Sequence, residues 1–447
     1  MHWVLVSARH HPSHGGIGAH VWSFCTAARE AGWRVDLLTR PGPTYPPAEQ
    51  VHVIRTRDDR HDFGRRIAAL RSIERIRPYR YGLWSLAVAE RLREFEVRPD
   101  AIEFVDCQAE GYASLCSHRV RDRFPGVPMI VHAHTPMFIE ESINGCDARR
   151  FGRSIYHGWE RAALRAADGI ITVSALLAKR LGQHTQVIAP CLPVAPSRCG
   201  RADGSRHPYI LFVGSVQPRK GVDVWARSLN RVLRVRPDVS AVLIGSDTMT
   251  GPGETSMSTH VRALIAPALR SRVHWRGPLS HGETRRAIES AAVVVVPSRF
   301  ESFSYVGAEA LLSRRPVVLS DRVGLREWIG DPPGVPIDDA AALARAQRSI
   351  LGEPSAPRRA AARFRSLLLD ACTPARHLRE KAVLAARFAD VSLRRSSRRR
   401  CADDAIEHMR RFLRGVETRE ASVAAGSRGA RVSASSLEGN TEEPAYC

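Results

Sequence analysis

Apolar residues gather into short blocks, separated by longer stretches in which apolar and polar positions recur with helical spacing. The blocks at 3–8 and 35–39 read as strands, those at 101–105, 129–132 and 169–173 are apolar enough to be buried on both faces, and a helical pattern over 18–31 stops at Gly32. Strands of that kind, separated by helices, predict a parallel sheet covered on both sides. The rhythm breaks near 188–207, where Pro190, Pro193 and Pro196 precede Pro208 with little periodicity, as in an interdomain linker. It then restarts: strands are predicted at 209–213, 240–244, 273–276, 292–296 and 317–320, with helices at 221–235 and 306–313. No close internal repeat is visible, so the expectation is two similar doubly wound α/β domains. Ligands of such sheets bind beyond the carboxyl ends of the strands, and with two domains the natural site is the cleft between them. From residue 340 the chain is Arg/Ala-rich and helical, clearest at 341–351 and 376–388, and beyond 422 small polar residues predominate. The predicted division is a first domain 1–188, a linker 189–207, a second domain 208–350, a helical extension 351–421 and a disordered tail 422–447.

Composition narrows the class. With 447 residues, 44% hydrophobic and 25% charged, the chain is neither collagen-like nor disordered throughout. No apolar run approaches the ~20 residues of a membrane-spanning helix. The N-terminal Met1-His2-Trp3-Val4 has no basic lead or long apolar stretch, so the expectation is a cytosolic protein. The net charge of +21 invites a nucleic-acid reading, but only three of the 67 basic residues are lysine. The excess is also spread out, at +6 up to residue 190, +8 over 191–350 and +7 beyond, without interleaved aromatics. No nucleic-acid partner is expected. The one run, Arg394-Arg395-Ser396-Ser397-Arg398-Arg399-Arg400, reads first as a solvated tail and second as weak peripheral contact with anionic headgroups at the inner face of a membrane. Nine cysteines contain no Cys-x-x-Cys pair and fit no zinc or disulfide spacing, so no metal site is expected from them.

Four segments carry candidate chemistry. In Pro297-Ser298-Arg299-Phe300-Glu301-Ser302-Phe303-Ser304-Tyr305-Val306-Gly307-Ala308-Glu309, a buried strand passes through a small-residue loop into a helix starting near Ser304. Loop amides and the helix N-terminus suit a diphosphate, and carboxylates suit sugar hydroxyls. On spacing alone, the plainer reading of Glu301 and Glu309, an N-terminal helix acid and an ordinary surface Glu, is favoured. Val213-Gly214-Ser215-Val216-Gln217-Pro218-Arg219-Lys220-Gly221 delivers two cations at the first strand-to-helix turn of the second domain, able to offset charge on a leaving phosphate or else simply solvated. His14-Gly15-Gly16-Ile17-Gly18 occupies the equivalent turn of the first domain and permits close backbone approach, or makes a plain turn. His132-Ala133-His134-Thr135-Pro136 ends another strand beside the expected cleft, where His134 is either a site residue or a structural histidine.

In order and spacing these four segments resemble the retaining glycosyltransferases of family four, which have the GT-B fold of two facing Rossmann-like domains. The resemblance runs from about Trp3 to Ile337 and includes Ala167-Asp168, Thr172-Val173-Ser174 and Val323-Gly324-Leu325-Arg326-Glu327. It implies transfer from a nucleoside diphosphate sugar to a saccharide, lipid-linked or small-molecule acceptor, with retention of anomeric configuration and without metal or other cofactor. Glu309 would hold the donor ribose, and Glu301, with the backbone of Ser302, Phe303 and Ser304, would meet the donor sugar. Lys220 with Arg219 would bind the diphosphate. Gly15 and Gly16 would lie against phosphate or sugar, and His134 would meet the sugar at the reacting face. Glu301, Lys220 and His134 are thus the expected catalytic residues. The chain departs from the pattern at Ser215, where many members carry Arg, and Arg219 is the expected substitute. The first-domain segments Glu110-Gly111-Tyr112 and 138–146 are expected to shape the acceptor site. The alternatives are a starch-like or sugar-phosphate synthase of the same fold, a non-catalytic nucleotide-sugar-binding protein, and a basic nucleic-acid-binding protein.

Overall fold

The computed structural model describes residues 1–42, 44–56, 73–147, 151–182, 184–192, 207–396 and 404–427. Seven parallel strands form the first sheet in the order β3-β2-β1-β4-β5-β6-β7. They are β1 (His2–Val6), β2 (Arg34–Thr39), β3 (Gln50–Val53), β4 (Ala101–Val105), β5 (Met129–Ala133), β6 (Gly169–Thr172) and β7 (Thr185–Val187). The second sheet, also parallel, runs β10-β9-β8-β11-β12. Its strands are β8 (Tyr209–Val213), β9 (Ser240–Ile244), β10 (Val273–Trp275), β11 (Val293–Val296) and β12 (Val317–Leu319). The expected pair of doubly wound domains is present, with the central β11, four consecutive valines, buried on both faces as such strands require. Most of the expected linker 189–207 lies outside the described residues.

Two edge strands escape the apolar pattern. β3 and β7 each pair on one side only and are largely half-exposed, so Gln50, His52, Thr185 and Gln186 are tolerated where a central strand would need apolar residues. The first helix, Gly15–Glu30, begins three residues earlier than expected, so Gly15 and Gly16 form its first turn.

The C-terminal helices divide between the domains. Ala340–Gly352 places Leu343 and Ala344 in the second-domain core, and Ser355–Ala371 places Ala361 and Leu368 beside Phe303 and Ala308. The next helix, Pro374–Ser396, crosses back: Leu378, Ala385 and Phe388 pack with Trp3, Val21 and Phe24 of the first domain. Ala405–Ser427 also lies on the first domain, with Met409 and Leu413 against Tyr79 and Trp159. The described helices of 351–421 are therefore shared between the two cores. Ser427 ends this helix, so 422–427 is helical where disorder was expected, and the remainder of that expected tail lies outside the described residues. The basic run beyond Ser396 also lies outside them. No described helix is long and apolar enough to cross a membrane.

Candidate functional site

The strand ends of the second domain meet at glycines that no other residue can replace. Gly221 adopts a left-handed φ of +67°, and a Cβ there would lie 2.0 Å from the Pro297 carbonyl oxygen. That contact presses the turn after β8 against the loop after β11, bringing Lys220 to Glu301. Lys220 Nζ donates to Glu301 Oε2 at 2.6 Å, and Arg219 Nη1 donates to the same oxygen at 3.3 Å. Burial pushes the Glu301 carboxyl up, but Lys220 first and Arg219 second outweigh it and hold the group below the usual carboxylate range.

Arg219 is buried and spans the cleft. Its Nη1 donates to the Phe300 carbonyl at 3.1 Å, its Nη2 lies 3.6 Å from Glu140 of the first domain, and its backbone N–H donates to Asn144 Oδ1 at 2.7 Å. Asn144 Nδ2 also donates to Gln217 Oε1 at 2.7 Å. Ser215, at the departure from the family pattern, accepts from Gln217 Nε2 at 2.8 Å.

The loop that carries Glu301 is held by backbone pairing. Glu301 N–H donates to Arg322 O, Gly324 N–H to Glu301 O and Leu325 N–H to Phe303 O, all at 2.9–3.0 Å. At its end Ser304 takes a φ of +95°, a strained region for a residue with a side chain, and its Oγ caps the helix Tyr305–Leu312 by accepting from Gly307 N–H at 3.1 Å. The helix N-terminus faces that of Gly15–Glu30 across the cleft: a Cβ on Gly16 would come within 3.2 Å of the Tyr305 ring. Two helix N-termini and Lys220 thus surround one cavity of about 270 Å³. It is lined by Gly15, Gly16, His134, Arg219, Lys220 and the stretch from Glu301 to Val306. Unpaired N–H groups and dipoles of this kind attract anions.

Nine of the ten sequence-predicted site residues therefore come together. Glu309 does not line this cavity. It sits half-buried one turn into the helix, where burial pushes its carboxyl up to about 7 and Arg285 offsets only part of the shift. His134 is buried at the cavity wall, and burial holds its imidazole down at about 4. Of the expected acceptor segments, Glu140 lines the cavity, but Glu110 is buried and accepts from the Ala8 N–H at 3.0 and 3.1 Å, while Tyr112 stacks on Trp159. Those two serve packing rather than the cleft.

Arg9, which also lines the cavity, was not anticipated, nor were the contacts that Glu140 and Asn144 of the expected segment 138–146 make to Arg219. Arg9 follows the first strand end, a position that flags it; Asn144 caps a helix, and nothing local signals that its side chain crosses to the other domain. A second bridge was also missed. Glu327 accepts from the N–H groups of Ala175 at 2.7 Å and Leu176 at 2.9 Å, capping the first-domain helix Ala175–Leu181, and Trp328 Nε1 donates to Val173 O at 2.7 Å. The segments 172–174 and 323–327 thus touch each other.

The model for glycosyltransferase family 4 matches residues 14–196, and that for glycosyl transferases group 1 matches residues 207–353. A glycogen synthase of Mycobacterium tuberculosis is 28% identical over 396 residues, covering 79% of this chain and 86% of that protein. The alpha-D-kanosaminyltransferase of Streptomyces kanamyceticus is 26% identical over 267 residues, covering 56% of this chain and 66% of its own. Sucrose-phosphate synthase from Thermosynechococcus elongatus superimposes with a TM-score of 0.63 at 21% identity, over 87% of this chain and all of that one. HepE of Anabaena, solved with UDP and glucose, gives 0.60 at 15% identity over the same shares.

Proposed function

Because the chain belongs to the family 4, group 1 glycosyltransferases and has their GT-B fold, we propose that it transfers a sugar from a nucleoside diphosphate donor with retention of configuration and no metal at the diphosphate. The observation that carries this reading is the meeting of Lys220, Glu301 and two helix N-termini around one cavity. The diphosphate lies against the amides of 302–304, and Lys220 turns from Glu301 to neutralise charge as the leaving group departs. Glu301, released from Lys220, accepts from hydroxyls of the donor sugar. Arg219, engaged by Glu301, Glu140 and the Phe300 carbonyl, holds that carboxylate in place and replaces the charge missing at Ser215. Glu309 accepts from the ribose hydroxyls, and His134 meets the sugar from the first domain.

In the transfer, the bond from the anomeric carbon to the diphosphate oxygen breaks while the acceptor oxygen bonds on the same face. The departing phosphate oxygen takes the acceptor proton. The acceptor is a saccharide, lipid-linked or small molecule, and the UDP in the HepE structure makes UDP-sugars the first donors to try. The test is turnover of UDP-, GDP-, ADP- and TDP-sugars without divalent ions, with the first-formed anomer read by proton NMR. An α-linked donor giving an α product after chelation supports the reading, and an inverted product or a strict metal requirement contradicts it.

A further inference from the structure

Behind the first-domain wall lies a group of histidines of which the proposed transfer uses only His134. His132 and His134 alternate at the end of β5, so both rings leave the same face of the sheet, stacked with centroids 4.6 Å apart. His20, from the helix Gly15–Glu30, meets them edge-on at 4.4 and 4.8 Å. Ring nitrogens of the three lie within 4.8 Å of one another. His20 and His132 are wholly buried and His134 is 8% exposed. Even so, both nitrogens of His20 and the Nε2 atoms of His132 and His134 have no hydrogen-bond partner among the described residues. Buried polar atoms are nearly always satisfied, so several converging in one place need an explanation.

The surroundings fix the chemistry further. His132 Nδ1 donates to Glu103 Oε1 at 3.0 Å, which leaves its Nε2 as a bare lone pair. A carboxylate behind an imidazole is the usual way a metal-ligating histidine is oriented. Glu103 also accepts from Trp3 Nε1 at 3.0 Å and pairs with Lys381, so its charge is already shared. An occupant must then be held by nitrogen lone pairs more than by opposite charge.

We propose that His20, His132 and His134 bind a divalent transition-metal ion of the zinc or cobalt class, set behind the cleft and apart from the diphosphate. Three neutral imidazoles favour such ions over magnesium or calcium. A tetrahedral ion at ~2.0–2.1 Å from each ligand needs nitrogens about 3.4 Å apart, so the rings draw in by roughly 1 Å and leave a fourth position open. His134 lines the cleft cavity, which supplies the entry path. Where the proposed function also holds, metal on His134 Nε2 places the ring proton on Nδ1, making that histidine a donor only.

The test uses untagged full-length chain, stripped with chelator, desalted and titrated with cobalt(II). The expected result is one cobalt per chain surviving gel filtration, visible d–d absorption, a higher melting temperature, and three imidazoles by X-ray absorption. His20→Gln and His132→Gln each lower cobalt affinity at least tenfold. No retained cobalt, or fewer than three imidazoles in the wild type, overturns the proposal; the wild-type spectrum decides even where a variant fails to fold. His10 and His11 pair with His14 at 5.4 and 6.2 Å near the cleft mouth, so binding lost in His14→Ala but kept in His20→Gln also overturns it. Donor turnover without cobalt binding removes this site and leaves the proposed transfer standing; cobalt binding without turnover does the reverse.

Discussion

On the second-domain wall of the cleft, Lys220 and Arg219 crowd one carboxylate, whereas the first-domain wall presents a helix N-terminus, Gly16 and an imidazole that burial keeps neutral. The charged groups of the second wall already neutralise one another, so a diphosphate entering there exchanges partners instead of stripping water from bare ions. Beside the charged Arg9 and Glu140, the first wall offers shape and neutral hydrogen bonding around Gly16 and His134. Charge stabilisation should therefore reside on one wall and orientation on the other, and substitutions on the two walls should differ in size and in pH dependence.

The largest effect is expected from Lys220→Met. It removes the closest cation, and kcat/KM should fall by about 10²–10³-fold, the scale of losing one preorganised group facing developing charge. His134→Ala should cost about tenfold, the scale of a single neutral hydrogen bond. Steady-state donor hydrolysis measures both, and a larger loss at His134 would reverse the division of labour between the walls.

Glu309 sharpens the contrast with Glu301 within one motif. In the empty enzyme its carboxyl is raised to about 7, so the folded state holds a proton that the unfolded chain releases near its ordinary value. Stability should then fall as pH rises from about 4.5 to 7, because the native state binds more protons across that window. Glu309→Gln should raise the melting temperature at pH 8 and leave it little changed at pH 4.5. Nucleotide affinity of the wild type should rise from pH 6 to 8 as the carboxylate forms, and the variant should lose that rise. Glu301 has the opposite shift. Its contribution is present above its unfolded pKa and is lost on acidification.

Smaller effects should come from the seams. Glu327→Ala leaves two helix N–H groups without their acceptor, for a loss of about 1–2 kcal/mol by urea unfolding. Gly16→Ala brings a methyl to 3.2 Å from the Tyr305 ring, which has only to give by a few tenths of an ångström. Its donor KM should rise a few-fold without loss of stability.

Much of the second wall was legible because its residues are close in sequence: one strand–loop–helix stretch supplies Glu301, the caps and the helix N-terminus. The central strands were legible for a similar reason, since burial leaves an unbroken apolar signature at β8 and β11. What could not be read depends on distant partners. Lys381 looks like one more basic helical residue until its helix returns to the first domain and buries it against Glu103. Glu140 and Asn144 acquire their roles only when Arg219 arrives from the other domain. Glu327 reads as a polar loop residue, yet it caps a helix about 150 residues upstream.

The central claim is that the second wall holds the nucleotide through Lys220 and the neighbouring helix N-terminus. Thermal unfolding with UDP, GDP, ADP and TDP, in wild type and Lys220→Met, tests it most directly. At a hundred times its dissociation constant a ligand adds about 2.7 kcal/mol, a clear melting shift. The account predicts that one nucleotide stabilises the wild type and that the shift largely disappears in the variant. No shift with any nucleotide, or an equal shift in both proteins, would contradict it.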